Sequence, residues 1–192
     1  MRFATVAALL ALSISAFAAQ PPLPRPAKEF TIVEPSGKQT LLSSYKGKVV
    51  AFAFMFTTCP HCQRESVLLT KLQREYGPRG FQALGTAYND ATPPMVAQFV
   101  KEFGVGFPVG FASRDSALSF MGFSVMDQVW VPQIVLIDRK GMIREQSESK
   151  PDGKLQEEAY LRSRIEALLK ESAPVSGGAA KPATVAKAPA SK

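Results

Sequence analysis

Phe52-Ala53-Phe54-Met55-Phe56-Thr57-Thr58-Cys59-Pro60-His61-Cys62-Gln63-Arg64-Glu65 is the stretch on which the reading of this chain turns. Val49 to Phe56 is a run of aliphatic and aromatic residues and reads as a buried strand. From Pro60 the apolar spacing changes. Glu65, Leu68, Leu69, Leu72 and Tyr76 fall at i, i+3, i+4, i+7 and i+11, one stripe of a helix. The two cysteines therefore straddle a strand-to-helix junction. Pro60 sits in the first helical turn, where a missing N–H costs nothing. Cys59 is at the helix N-terminus, where free N–H groups and the helix dipole stabilise a thiolate.

A thiolate attacks disulfides far faster than a thiol does. A second cysteine three residues on can resolve the mixed disulfide by closing a small ring. Cys62 falls on the buried side with Glu65 and Leu69, which leaves Cys59 as the exposed attacker. Three other uses of the pair are weaker. Zinc usually takes four ligands, and the chain has two cysteines and one histidine, His61. Covalent haem attachment needs His directly after the second Cys, and Gln63 stands there. A disulfide across so few residues constrains little chain, since stabilisation grows with loop length.

Outward from this stretch, the chain of 192 residues suits one domain with tails. Met1-Arg2, an apolar run from Phe3 to about Ile14 and Ala16-Phe17-Ala18 read as a signal peptide over residues 1–18. An N-terminal membrane anchor is the less favoured reading, because the run is short for a bilayer. Export gives the cysteines their meaning. Disulfides persist outside the cytoplasm, yet no cysteine exists beyond the pair. The localisation expected is periplasmic or secreted.

Residues 19–29 are proline-rich and read as an extended linker. Phe30–Val33 and Lys38–Leu42 flank the turn signal Pro35-Ser36-Gly37, which predicts a hairpin. Phe81–Ala87 reads as a second strand. Thr92 is the expected N-cap of a helix opening at Pro93, with Val96, Phe99, Val100 and Phe103 as its stripe. Phe111 ends a short segment that suits a further strand. A short helix over Ser116–Met121, strands over Trp130–Ile137 and Met142–Gln146, and a last helix through Leu161, Ile165 and Leu168 follow. Alternating strands and helices predict an α/β fold, a mixed sheet with helices on both faces. The domain is expected to span 30–170, and residues 171–192, rich in Ala, Pro and Lys, to be disordered. The net charge of +7 would suit an anionic surface, but a solvated surface is the favoured reading. No nucleic-acid motif is present, and nothing in the pattern implies a cofactor or metal.

Four places resemble the thioredoxin superfamily, in particular its TlpA-like extracytoplasmic thiol–disulfide oxidoreductases. They are the hairpin from Phe30 leading into Lys46-Gly-Lys-Val-Val, Cys59-x-x-Cys62-x-x-Glu65, Val131-Pro132, and Ile134-Val-Leu-Ile-Asp-Arg-Lys-Gly141. The resemblance covers about Phe30 to Lys170. It implies a thioredoxin-like fold with an N-terminal hairpin extension. It implies an enzyme that exchanges disulfides with cysteine-containing exported proteins and with a partner thiol protein. It also implies a cis bond at Val131–Pro132 facing the cysteines, with Val131, Pro132, Pro60 and His61 meeting the substrate.

Glu65 is expected to lie partly buried beneath the pair with a raised pKa, moving the Cys62 proton. There are departures from the family pattern. Thr58 replaces the usual Trp before the first Cys, and Ala53 replaces the buried Asp of thioredoxin. Pro60-His61 is similar to the oxidase DsbA. A hydrogen bond from His61 to the Cys59 thiolate would favour a better oxidant than thioredoxin, roughly −230 to −120 mV. Two alternatives stand beside this reading. A peroxiredoxin-like peroxidase would carry Thr three residues before the attacking Cys, and Phe56 is there. A Sco-like copper chaperone would have three residues between its cysteines and a distal His, and this chain has neither.

Overall fold

The computed structural model describes residues 20–150 and 153–171. The expected signal peptide and the tail beyond 171 lie outside the described residues. The elements run β1 (Arg25–Pro26), β2 (Thr31–Val33), β3 (Gln39–Leu41), β4 (Val49–Met55), α1 (Pro60–Tyr76), β5 (Phe81–Ala87), α2 (Pro93–Glu102), β6 (Val109–Phe111), α3 (Arg114–Met121), β7 (Gln133–Ile137), β8 (Met142–Gln146) and α4 (Glu158–Lys170).

Eight strands form one sheet in the order β1-β8-β7-β4-β5-β6-β2-β3. The strands β4, β5 and β6 are parallel and joined by α1 and α2, because parallel neighbours need a crossover. The other pairings are antiparallel.

β4 is buried along its whole length, so its alternate side chains feed two cores. Val49, Ala51, Ala53 and Met55 pack with α1, α2 and α4 on one face. Val50, Phe52 and Phe54 pack with α3 on the other. There Phe30, Phe52, Phe54 and Phe120 meet with ring centroids 4.4–5.7 Å apart, mostly edge to face. A mixed sheet between helical layers is the thioredoxin-like architecture the sequence predicts, with β2 and β3 as its hairpin extension.

Several details differ from expectation. The segment read as a linker is part of the sheet: Arg25 and Pro26 pair with Ile143 and Met142 of β8. An edge position tolerates proline, since one side of the strand needs no donor. Arg25 anchors the segment, its guanidinium donating to Gln146 Oε1 at 2.7 Å and to the Met121 carbonyl at 3.1 Å. Thr92 occupies the N-cap of α2, but its side chain makes no capping bond. Pro93 and Pro94 follow it and remove two of the N–H groups a cap would serve. β7 begins at Gln133 rather than Trp130. Pro132 offers no N–H, and both main-chain groups of Trp130 are engaged elsewhere, with the Ser149 carbonyl and the Gln133 side chain.

Candidate functional site

Because β4 and β5 are parallel and in register to Met55 and Ala87, the residues following both strands emerge at one edge of the sheet. Phe56 to Cys59 and Tyr88-Asn89 are therefore neighbours. Asn89 Oδ1 accepts from the Thr57 amide, and Asn89 Nδ2 donates to Thr57 Oγ1, each at 3.3 Å. Gln63 Nε2 donates to the Thr57 carbonyl at 3.3 Å. The turn that delivers Cys59 to the helix start is thus held from β5 and from α1.

Cys59 is the N-cap of α1, and its Sγ accepts from the Cys62 amide at 3.5 Å. This replaces the hydroxyl or carboxylate usual at an N-cap with a sulfur aimed at free helix N–H groups. The same sulfur lies 3.8 Å from the Val131 carbonyl, to which the thiol donates. Cys59 is half-buried, whereas Cys62 is 1% exposed. Both are thiols here. Burial pushes the Cys62 thiol far up. The Cys59 sulfur and the Glu65 charge push the same way, and a main-chain hydrogen bond from Phe56 opposes them. Cys62 therefore holds its proton until something takes it.

Glu65 is three residues past Cys62 on the buried face of α1, and only 5% exposed. Its Oε1 has no hydrogen-bond partner. Burial alone raises its pKa to about 8. A carboxyl that titrates near neutrality beside a buried thiol suits proton transfer.

The bond Val131–Pro132 is cis. In the α3–β7 connection, the Val131 carbonyl lies against Cys59. Pro60 and His61 are exposed at the helix start.

His61 does not reach Cys59. Its Nδ1 lies 2.9 Å from the Arg64 guanidinium, and a guanidinium can only donate, so Nδ1 accepts. No hydrogen bond joins His61 to Cys59 among the described residues. The expected contact gives way to a pairing at helical spacing i, i+3. The structure therefore brings together Cys59, Cys62, Glu65 and Val131, with Pro132 next to Val131 in the chain, and leaves His61 at the rim.

Two further residues stand close by in the structure: Tyr88, near Cys62, and Gln133, next to Pro132 in the chain. Tyr88 stacks edge-on against Phe56 at 4.8 Å, and its hydroxyl is buried without a partner. Burial pushes that phenol to about 12, helped by the charge of Cys62. Gln133 is fully buried and donates to the carbonyls of Trp130 and Glu148, at 2.7 and 3.0 Å. Only the position of Tyr88-Asn89 just after a parallel strand could have pointed to this edge.

The sheet order and the cysteine capping the first long helix define a thioredoxin-like fold. Residues 23–162 match the family described as Redoxin, and the chain belongs to that family. Thiol-disulfide oxidoreductase ResA of Geobacillus thermodenitrificans is 29% identical over 119 residues, which are 62% of this chain and 64% of that relative. The chain thus spans slightly under two thirds of that relative's length. ResA of Bacillus cereus is 30% identical over 136 residues, covering 68% of this chain and 75% of that one. A thioredoxin-family thiol:disulfide interchange protein from Chlorobium tepidum superposes with a TM-score of 0.64 at 27% identity. It covers 78% of this chain and 99% of its own.

Proposed function

We propose that this chain is an exported thiol–disulfide oxidoreductase acting on cysteine-containing proteins through Cys59 and Cys62. The observation that carries the reading is the position of the Cys59 sulfur. It caps α1, stands 3.8 Å from the Val131 carbonyl, and is partly open to solvent, with Cys62 buried one turn inside. Relatives that bear the name thiol-disulfide oxidoreductase support it. The proposed export rests on the signal-like residues 1–18 and on the restriction of cysteine to this one pair.

In the proposed reaction the Cys59 thiolate attacks one sulfur of a client disulfide. A mixed disulfide forms, and the client's other sulfur leaves as a thiolate and takes up a proton. Val131 presents its main chain to the client as an extended segment would. Glu65, as carboxylate, then takes the Cys62 proton. Cys62 attacks Cys59 Sγ, closing the Cys59–Cys62 disulfide and releasing the second client thiol. Two client sulfurs are reduced and the pair is oxidised. A partner thiol protein restores the dithiol by the same exchange, and the reverse sequence oxidises a client.

Direction depends on how strongly the reduced form is stabilised. With His61 held by Arg64, Cys59 lacks the contact on which a strongly oxidising potential would rest. The proposed potential is therefore well below the value of about −120 mV that marks a strong oxidant.

Reduction of insulin by dithiothreitol tests the function. The chain should accelerate it, and Cys59→Ser should abolish the acceleration. No acceleration, together with tight binding of copper(I) under anaerobic conditions, would replace this reading with a copper chaperone.

A further inference from the structure

Trp130 is the only tryptophan in the chain, and it is 58% exposed. It immediately precedes Val131, whose carbonyl faces Cys59. Its backbone is fixed at both ends. The Trp130 amide donates to the Ser149 carbonyl at 2.9 Å, and its own carbonyl accepts from Gln133 Nε2 at 2.7 Å. An exposed aromatic whose main chain is fixed, one residue from the carbonyl that meets the reactive sulfur, is a candidate anchor.

The rest of the connection is built the same way. Val125 is 56% exposed and Met126 88%. They project from a turn held by polar groups. The Arg114 guanidinium donates to the carbonyls of Val125 and Asp127, both at 2.9 Å, and the Asp127 carboxylate accepts from the Ser124 amide at 2.7 Å. Apolar side chains outside and hydrogen bonds inside make a loop that is ordered before anything binds, which lowers the cost of binding.

We propose that Trp130 is the specificity anchor of the redox site, binding an apolar side chain next to the client's cysteine. The occupant is an extended stretch of client polypeptide. Among the described residues the Val131 amide makes no hydrogen bond and its carbonyl accepts only from the Cys59 thiol. A client strand lying along Val131 to reach Cys59 would carry its next side chains over Trp130. This inference rests on the proposed exchange at Cys59. It adds a preference that the exchange alone does not require.

The test uses the full reduced chain and two disulfide-bridged peptides. One has leucine beside its cysteine and the other has serine. Glutathione disulfide, which reaches only Cys59, is the control. The wild type should oxidise faster with the leucine peptide. Trp130→Ala should bring the two peptide rates together, losing about tenfold on the leucine peptide, the scale of truncating an aromatic anchor. Its rate with glutathione disulfide should stay within about twofold of wild type, a negligible energy difference by comparison. Trp130→Phe should restore most of the preference. In the wild type, fluorescence should shift to the blue with a leucine peptide whose cysteine is replaced by serine.

Equal rates for the two peptides in the wild type, or a preference that survives Trp130→Ala, would overturn the inference while leaving the exchange intact. A dimer that dissociates in Trp130→Ala with no change in the peptide ratio would assign the face to a second copy and also overturn it. Failure of all three disulfides to oxidise the pair would instead remove the exchange reading itself.

Discussion

Replacing Glu65 by Gln should change how stability depends on pH. Glu65 is 5% exposed, and one of its oxygens has no partner. Its pKa rises on folding from 4.5 to about 8, and desolvation is the cause. Below pH 4.5 the carboxyl is protonated in both states and burial costs little. Between pH 4.5 and 8 the unfolded chain ionises while the folded protein keeps its proton. The folded state then binds more protons, so stability falls as pH rises through this window and levels off above it. At about 1.4 kcal/mol for each pH unit, the whole window is worth about 5 kcal/mol.

The amide of Gln occupies nearly the same volume and does not titrate. Urea unfolding of the reduced protein at steps from pH 4.5 to 9 is the assay. The Gln variant should be close to wild type at the acid end and gain on it steadily up to about pH 8. Cys62 adds little slope below pH 8, because its thiol keeps its proton there in both states, and the slope it adds at higher pH is common to the two proteins. Parallel curves for the two proteins would refute the argument and place Glu65 in contact with water.

Iodoacetamide at neutral pH should modify Cys59 first, because Cys62 is 1% exposed, and peptide mapping reads the order directly. The rate at which Cys62 releases a client from the mixed disulfide should rise through about pH 8. In Glu65→Gln that rise should vanish and the rate at pH 8 should fall by about tenfold or more, which quenched-flow trapping would measure. Gly110→Ala should destabilise the protein by about 2–3 kcal/mol in urea titrations. A Cβ there would stand 2.6 Å from the Val33 carbonyl oxygen and 2.8 Å from Ile32 Cγ2, where β6 meets β2.

The parts of the fold legible in sequence are those whose apolar period is set locally. β4, α1 and β5 were visible because the spacing changes from continuous to helical at Pro60 and back at Phe81. The buried face of α1 then ordered the cysteines, with Cys62 and Glu65 inside. β1 was not legible. Its two residues pair with Met142 and Ile143, far along the chain, and the prolines in and before it carry the pattern of a linker. The missing Thr92 cap has a local cause, the two prolines after it. Tyr88 and Asn89 joined the site through the register of β4 on β5, which no single stretch encodes. The pairing of His61 with Arg64 was open to inspection, since i, i+3 residues are neighbours on a helix.

Trapping the mixed disulfide tests the account most directly. With Cys62→Ser and an excess of a disulfide-containing client, Cys59 should form a stable covalent adduct, one client per chain, that dithiothreitol releases. Cys59→Ser should form none, since Cys62 is buried and holds its proton. An adduct on Cys62 in Cys59→Ser, or none in Cys62→Ser, would contradict the assignment of Cys59 as the attacking group.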